Sequence, residues 1–517
     1  MILTTQRPPR DLDAFPTFQL FLLAIVRLAE PIALTSIYPY SWSLVRHFQI
    51  GNEQDATIYS GLLISAFSLT EAVMGMYWGG LSDRVGRKPV IVLGGLGTMM
   101  SMMVVGLAPN IWVALFGRAF GGLLNGNIGV IQTMVGELVT NPEHEPRAYA
   151  VMPFVWCIGT IIGPAIGGIF ASPHHTWPGT FSRDGWFATF PYLLPNIICS
   201  ALLFVSAVLG WLLLEETHPA TRSLKSLPSD ASCSTEETPL LVTTSGTFVR
   251  PRADLGSEGC GSFGGREGLE PGSGTRCADG GEKMRPPSIF QRRLMTLIAS
   301  LCIFTYHSMT YDHLMPIFFE DHRIHSNAKL AATFSPFHSP GGLGLSIQTV
   351  GMIMAVNGII ALSVQAVVFP VAAEKVGVFK LFLFVTTLHP IAYIIVPSLV
   401  YVPESILLPV IYFCLTIRNL LSILLYPLLL ILIKEATPSP DFLGKVNGLA
   451  ASAGAICRMI APPIAGYLYS LGSQVDCTGI AWYGSALVAL VGSLQCYAVQ
   501  RDRQRRGAET SGGTEFS

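Results

Sequence analysis

Twelve apolar blocks of about 20 residues constrain this chain more than any other feature, because a helix rising about 1.5 Å per residue needs that length to cross roughly 30 Å of hydrocarbon. They run from Phe18 to Tyr40, Ile58 to Trp78, Val90 to Ala108, Ile111 to Ile131, Ala148 to Ala171 and Pro191 to Leu214. After a polar gap come Leu294 to Phe318, Ile347 to Val371, Leu381 to Val400, Ile406 to Ile433, Val446 to Leu468 and Ile480 to Val499. The bulk numbers agree: 50% of the 517 residues are hydrophobic and 13% are charged, against about 25% charge in soluble proteins, and mean hydropathy is +0.49. An all-α membrane protein of twelve transmembrane helices is expected. Secreted enzymes, nucleic-acid binders and water-soluble folds are excluded.

The order six, gap, six divides the chain into a cytoplasmic N-terminus (1–17), a first six-helix bundle (18–214), a linker (215–289), a second bundle (290–500) and a C-terminal tail (501–517). Orientation follows from Lys and Arg, which cytoplasmic loops retain. With the N-terminus inside, the inner segments hold 24 of them and the outer loops only Arg46, Arg183, Arg323 and Lys329. Both termini are therefore expected in the cytoplasm. The linker is rich in Gly, Ser, Pro and mixed charge with no apolar period, the composition of a disordered segment. Within it, Glu236 stands four places before the pair Leu240 and Leu241, the spacing of an acidic dileucine sorting signal; chance in a polar stretch explains so short a motif about as well. The N-terminus lacks the pattern of a cleaved leader, and the ten cysteines form no exposed disulfide framework.

The halves repeat each other. Gly79-Gly80-Leu81-Ser82-Asp83-Arg84-Val85-Gly86-Arg87-Lys88, between blocks two and three, shares its acid, base, Val and Gly with Glu374-Lys375-Val376-Gly377, between blocks eight and nine. Arg118 in block four answers Arg418 in block ten, and Gly163-Pro164-Ala165-Ile166-Gly167-Gly168 answers Ala461-Pro462-Pro463-Ile464-Ala465-Gly466. Duplication of a six-helix unit is a transporter architecture.

These residues carry a resemblance. The Gly79 to Lys88 run resembles the loop signature of the major facilitator superfamily, Leu115 with Arg118 and Gly122 its fourth-span motif, and Gly159 to Gly168 its fifth-span antiporter motif. Arg27-Leu28-Ala29-Glu30-Pro31, Ser36 to Tyr40 and Pro239-Leu240-Leu241 look most like the drug:proton antiporter branch of fungi and plants that includes zinc-induced-facilitator-like carriers. The resemblance implies two pseudo-symmetric six-helix bundles and a cytoplasmic gate built from Gly79, Asp83, Arg84, Gly86, Arg87 and Lys88. It also implies a leak-limiting role for Gly159, Gly163, Pro164, Gly167 and Gly168, and a cavity lined by spans one, four, seven and ten. Physically, the loop charges also anchor the inner face, and glycines four residues apart share one helix face on which a neighbouring helix approaches closely.

Ionisable groups inside spans are costly and default to function. Counted at about 1.5 Å per residue, Glu30 lies about 18 Å from the inner side, Arg118 about 20 Å, and His307, Arg418 and Arg458 roughly 12 to 20 Å. Substrate sites of such transporters lie at that depth. Glu30 is the acid expected to couple protons, with Arg27 and Arg118 as counter-ions; a static Glu-Arg pair joining spans one and four is the alternative. Asp312, about 27 Å from the inner side, is the competing acid near the outer mouth, and Glu71 a weaker candidate. Tyr38, Tyr40, Tyr306, Tyr311 and Tyr426 offer flat faces to apolar substrates or to packing neighbours.

The expected activity is proton-coupled export of a small organic molecule, driven by the proton gradient with no cofactor and no metal, by a monomer with no enzyme chemistry and no nucleic-acid partner. No phosphate-binding loop supports direct drive by ATP. His174, His175, His322, His325 and His338 with Glu320 and Asp321 offer a metal site, although loop histidines without ligand spacing are usually solvated. A nutrient uniporter or symporter, a metal-linked carrier and a non-transporting sensor use the same fold. The dileucine element leaves plasma membrane and vacuole both open, and a sorting adaptor would be its partner.

Overall fold

Each apolar block is helical in the computed structural model of the chain, which describes residues 15–50, 55–139, 145–182, 184–217, 291–323, 341–437 and 443–512. Residues 1–224 and 288–517 form one unit. The linker and its Glu236, Leu240 and Leu241 lie outside the described residues.

Span one comprises Thr17–Ser36, a 3-10 turn at Tyr38–Tyr40 and Ser41–His47; span two is Ala56–Val85 and span three Arg87–Gly106. Span four is Ile111–Leu124 with Asn127–Leu138, span five Glu145–Ile169 and span six Leu193–Leu213. In the second half the spans are Arg292–Glu320, Ile347–Ser363 extended through Phe369–Val376, Val378–Ile395, Glu404–Ala436, Leu443–Gln474 and Gly479–Gly512. Ten described segments are long and apolar enough by themselves to cross a bilayer. Span four falls short because it breaks, and span five because its apolar stretch, Phe154–Ile169, is short. The last helix continues past the expected end at Val499 through 501–512, where Arg, Gln and Ala favour helix.

The duplication is present in the backbone. Span two ends at Val85 with Gly86 at φ 107°, and the helix before span nine ends at Val376 with Gly377 at φ 86°. Both glycines occupy the left-handed region that side chains resist. Each amide donates back to a carbonyl four residues earlier, Ser82 and Ala373, at 3.1 Å. Span eight passes through a π-turn, Val364–Val368, shortly before Pro370, whose missing N–H interrupts the regular ladder.

The halves meet along two symmetry-related seams. A Cβ on Gly168 of span five would strike the backbone of Gly351 of span eight; one on Gly61 of span two would strike Pro462 of span eleven, and one on Gly466 would strike Thr57. With no water to expel from a bilayer interior, such helices associate by close packing, and small residues permit it. At the end away from the termini, one core cluster joins both halves through Ile37, Tyr40, Trp42, Ile111, Leu314, Phe318, Leu407 and Trp482. At the terminal end the clusters are separate: Leu20, Leu23, Trp78, Val90 and Leu138 in the first half, and Leu294, Leu381, Leu428, Leu432 and Val446 in the second. On the same seams, Gly75, Gly79 and Gly80 of span two and Gly448 of span eleven face no described atom within 4 Å. The halves are thus closed together at the far end and part toward the end carrying the termini.

Candidate functional site

Glu30 is 3% exposed, and span four breaks to meet it. Helix Ile111–Leu124 stops at Asn125, which turns to ψ 98°, and the Asn125 side chain accepts from the Asn127 amide at 3.1 Å, starting the next helix. The break aims two carboxamides at one acid: Asn125 Nδ2 donates to Glu30 Oε1 at 2.8 Å and Asn127 Nδ2 to Oε2 at 3.1 Å. Arg27 Nη1, three residues back on the same helix, pairs with Oε2. A small cavity lined by Arg27, Glu30, Gly95, Asn127 and Ser206 lies beside them. Of the two expected counter-ions, Arg27 therefore pairs with Glu30 and Arg118 does not. Asn125 and Asn127 were missed by charge counting, although an Asn-Gly-Asn run inside an apolar block is itself a signal.

Arg118 is 3% exposed. Its Nε donates to the Leu63 carbonyl at 3.3 Å, its guanidinium lies 4.8 Å from the centre of the Phe67 ring, and its Nη1 has no partner among the described residues. Its symmetry mate is better matched. Arg418 Nη2 pairs with Asp312 at 2.9 Å and donates to Ser308 at 3.1 Å, over the Tyr311 ring at 4.2 Å. Asp312 thus belongs to the central charge layer through Arg418, which depth counting on its own helix placed nearer the outer mouth. Tyr38 and Glu71 are half-buried, and Glu71 Oε1 has no hydrogen-bond partner among the described residues.

His307 is buried and hydrogen-bonds through Nδ1 to Tyr393 at 2.7 Å. The ring of His389 lies 4.7 Å away, tilted by 56°, with no hydrogen-bond partner for either nitrogen among the described residues. Sequence reasoning passed over His389. Arg458 is exposed and has no ion pair among the described residues. Tyr40 is structural: it is fully buried, stacked on Tyr192 at 5.2 Å and held by Asn196.

The loop motif forms a network inside its own half. Arg87 pairs with Glu137 of span four at 2.9 Å and with Asp83. Glu216, after span six, accepts from the backbone amides of Arg87 and Lys88 at 2.8 and 3.1 Å, satisfying the open N-terminus of span three. Gly86 supplies the turn, the Gly79 carbonyl accepts from Ser82 Oγ at 2.7 Å while that hydroxyl accepts from Arg87 Nη1 at 2.6 Å, and Arg84 is exposed. Asp83 is 63% exposed, and no described residue of the second half reaches it.

The fifth-span motif packs as its spacing predicts. Cβ atoms on Gly159, Gly163 and Gly167 would overlap Pro31, Thr35 and Ser36 of span one in turn. Thr35 Oγ1 bridges the two helices, donating within range of the Pro31 carbonyl at 2.7 Å and the Gly159 carbonyl at 3.1 Å. Gly168 and the Pro164 carbonyl face Gly351 on the other side. Span five is therefore wedged between span one, which carries Glu30, and the opposite half.

At the far end, Ser43 donates to Glu320, Gln348 donates to Thr176 at 3.0 Å, and Tyr469 donates to Asp321 at 2.7 Å. Burial pushes the Asp321 carboxyl up, opposed by the Tyr469 hydroxyl. The rings of His174 and His175 lie 4.2 Å apart, tilted by 45°, in a different loop from His322, and no group of three metal-ligating side chains occurs among the described residues. His325 and His338 lie outside them.

The sequence matches the Major Facilitator Superfamily over residues 23–417. It is 37% identical to the Major facilitator superfamily multidrug transporter mfsB of Aspergillus fumigatus, over 98% of this chain and 87% of that one. It is 27% identical to Protein ZINC INDUCED FACILITATOR 1 of Arabidopsis thaliana, over 88% and 84%. The fold resembles a bacterial homolog of the human lysosomal transporter Spinster, TM-score 0.64 at 12% identity, covering 94% of this chain and 98% of that one. The chain belongs to the major facilitator superfamily: it is a multi-pass membrane transporter, of a kind that binds small-molecule substrates within the bilayer.

Proposed function

We propose that this superfamily member exports small organic molecules from the cytosol in exchange for protons. Both termini are cytoplasmic, so the halves are closed on the outer side and open inward, and they rock about the central charge layer to expose it alternately. The outward direction is supported by the multidrug transporter among its relatives and by a fifth-span glycine face matched to span one.

The observation that carries proton coupling is the Asp312–Arg418 pair between spans seven and ten. The Asp312 side chain is 42% exposed, against 6% for Arg418, so protons reach the acid from the central space while the cation stays packed. Protonation cancels one charge of the pair and leaves Arg418 held by Ser308 and Tyr311 alone, loosening spans seven and ten. Glu30 is the second acid. Three donors hold it, and its protonation weakens the clamp from Asn125 and Asn127 at the break of span four. In the loop motif, Asp83 latches the halves on the cytoplasmic side when they close there. The chain acts as a monomer, and Glu236 with Leu240 and Leu241 engages a sorting adaptor that delivers it to the plasma membrane or the vacuolar membrane.

Reconstitution in vesicles with an imposed pH gradient tests this. The intact chain is expected to move a tolerated drug against the proton flow, and Asp312→Asn to lose gradient-driven movement while keeping substrate exchange without a gradient. Gradient-driven movement that survives both Asp312→Asn and Glu30→Gln removes these acids from the mechanism.

A further inference from the structure

Resting on that exchange reading for its assignment of sides and going beyond it, we propose that Glu320 is a proton-binding site of the outer seam, loaded from the outer medium, whose protonation closes the far end of the molecule. Glu320 ends span seven where the halves touch: Ser43, on the last helix of span one, donates to it. That hydroxyl is the carboxylate's one donor among the described residues, and its Oε1 is closed off from solvent without a partner. Other acids of the molecule are better supplied. Glu30 has Arg27 and two carboxamides, Glu137 has Arg87 and Thr217, and Asp312 has Arg418. Of these four, Glu320 alone joins the two halves, and it alone has neither a cation nor an amide.

A charged carboxylate with one oxygen buried and no cation is costly. A neutral carboxyl costs less and keeps the Ser43 contact, because carboxyl and hydroxyl can exchange donor and acceptor roles. When the halves part at this end, Ser43 withdraws and water solvates the charged form. The closed seam therefore binds the proton more tightly than the open one, and by linkage a proton from the outer medium favours closure there and opening toward the cytoplasm. That proton returns to the outer medium when the seam reopens, so the protons exchanged for substrate remain those of Asp312 and Glu30. The other titratable groups at this end act differently. Arg46, one turn after Ser43, has only donors, so its 3.4 Å contact with His322 Nε2 needs that nitrogen bare. Protonating His322 sets two cations face to face and opens the seam. Asp321 is held by Tyr469 and the His322 amide, and Arg323 by the Val400 and Val402 carbonyls and Glu404, all within the second half. His47 and Tyr192 face each other within the first half, ring centres 6.4 Å apart. Acid closes the outer end through Glu320 and opens it through His322, so the sign of the response identifies the group.

Two fluorophores introduced as unnatural amino acids at Thr180 and Ser405, exposed outer positions of opposite halves, report the gap by energy transfer in the purified full chain in lipid nanodiscs. From about pH 8 to about pH 5 the closed-to-open ratio is expected to rise at least about tenfold. Glu320→Gln should stay closed throughout that range and lose the response. Glu320→Asp, which keeps an acid in place, should retain part of it, and Asp321→Asn and His322→Gln should retain it. Absence of a response or opening on acidification overturns the proposal. So does a response that survives at full size in Glu320→Gln, or that is lost in Asp321→Asn or His322→Gln instead. Acid-driven closure through Glu320 in a chain that moves no ethidium against a proton gradient in vesicles keeps the site and defeats the exporter reading; gradient-driven ethidium export without acid-driven closure does the reverse.

Discussion

Arg27, Arg118, Arg418 and Arg458 are the arginines inside the apolar blocks; the first three meet the cost of leaving water through a neighbouring acid, an aromatic face and an acid across helices, and Arg458 stays exposed. Their presence and depth are legible from sequence, because a charge in an apolar block is conspicuous. Their partners are not, because pairing depends on helix rotation and on which helices are neighbours. At Glu30 the partners come from a break that spacing does not announce. Asn125→Ala removes one of the donors to a buried carboxylate and is expected to destabilise the protein by about 1–3 kcal/mol, read as a lower thermal midpoint in detergent. Asp321 gives a pH dependence. Burial favours its neutral form, raising its folded value above that of the unfolded chain. Its contribution is therefore full below the ordinary Asp range and is lost as pH rises through the folded value. Asp321→Asn should accordingly show less loss of stability than the natural chain as pH is raised from about 4 toward neutrality, measured by thermal unfolding across that range.

At the scale of elements, the glycine faces were readable and their partners only partly so. Four-residue spacing places Gly159, Gly163 and Gly167 on one side of span five. That this side meets span one at Pro31, Thr35 and Ser36, with Gly168 turned to span eight, follows from the packing of the bundle. Gly163→Val must displace the Thr35 side chain and the Ile32 carbonyl, and overpacking of this kind costs about 1–3 kcal/mol. The variant is expected to lose thermal stability and to leak protons through the membrane when reconstituted, whereas Gly129→Ala, at a site with open space around it, should do neither. The repeated Gly86 and Gly377 are cases where sequence and backbone agree fully. A turn between two antiparallel spans requires a left-handed residue in each half, and glycine is the residue that adopts it without strain.

For the whole molecule, the closed far end and the parted terminal end make a mechanical prediction. Thr176→Cys with Gln348→Cys, joined by a short cross-linker where the natural side chains bond at 3.0 Å, should hold the halves in this arrangement and stop transport, with recovery when a cleavable linker is cut. Gly79→Cys, whose surroundings are empty, should react with a thiol reagent applied from the cytoplasmic face and lose that reactivity as the halves close there. By itself the sequence determined the membrane class, the twelve spans, the duplication, the family motifs and the layer in which the costly charges sit. These are periodic, compositional or local properties, carried by each helix alone. Only the tertiary structure decided that Glu30 belongs to Asn125 and Asn127, that Asp312 belongs to Arg418, and that Arg118 keeps an edge unpaired. Contacts between helices depend on rotation about each axis and on neighbour choice, and a one-residue change in either replaces every partner while leaving the apolar pattern intact.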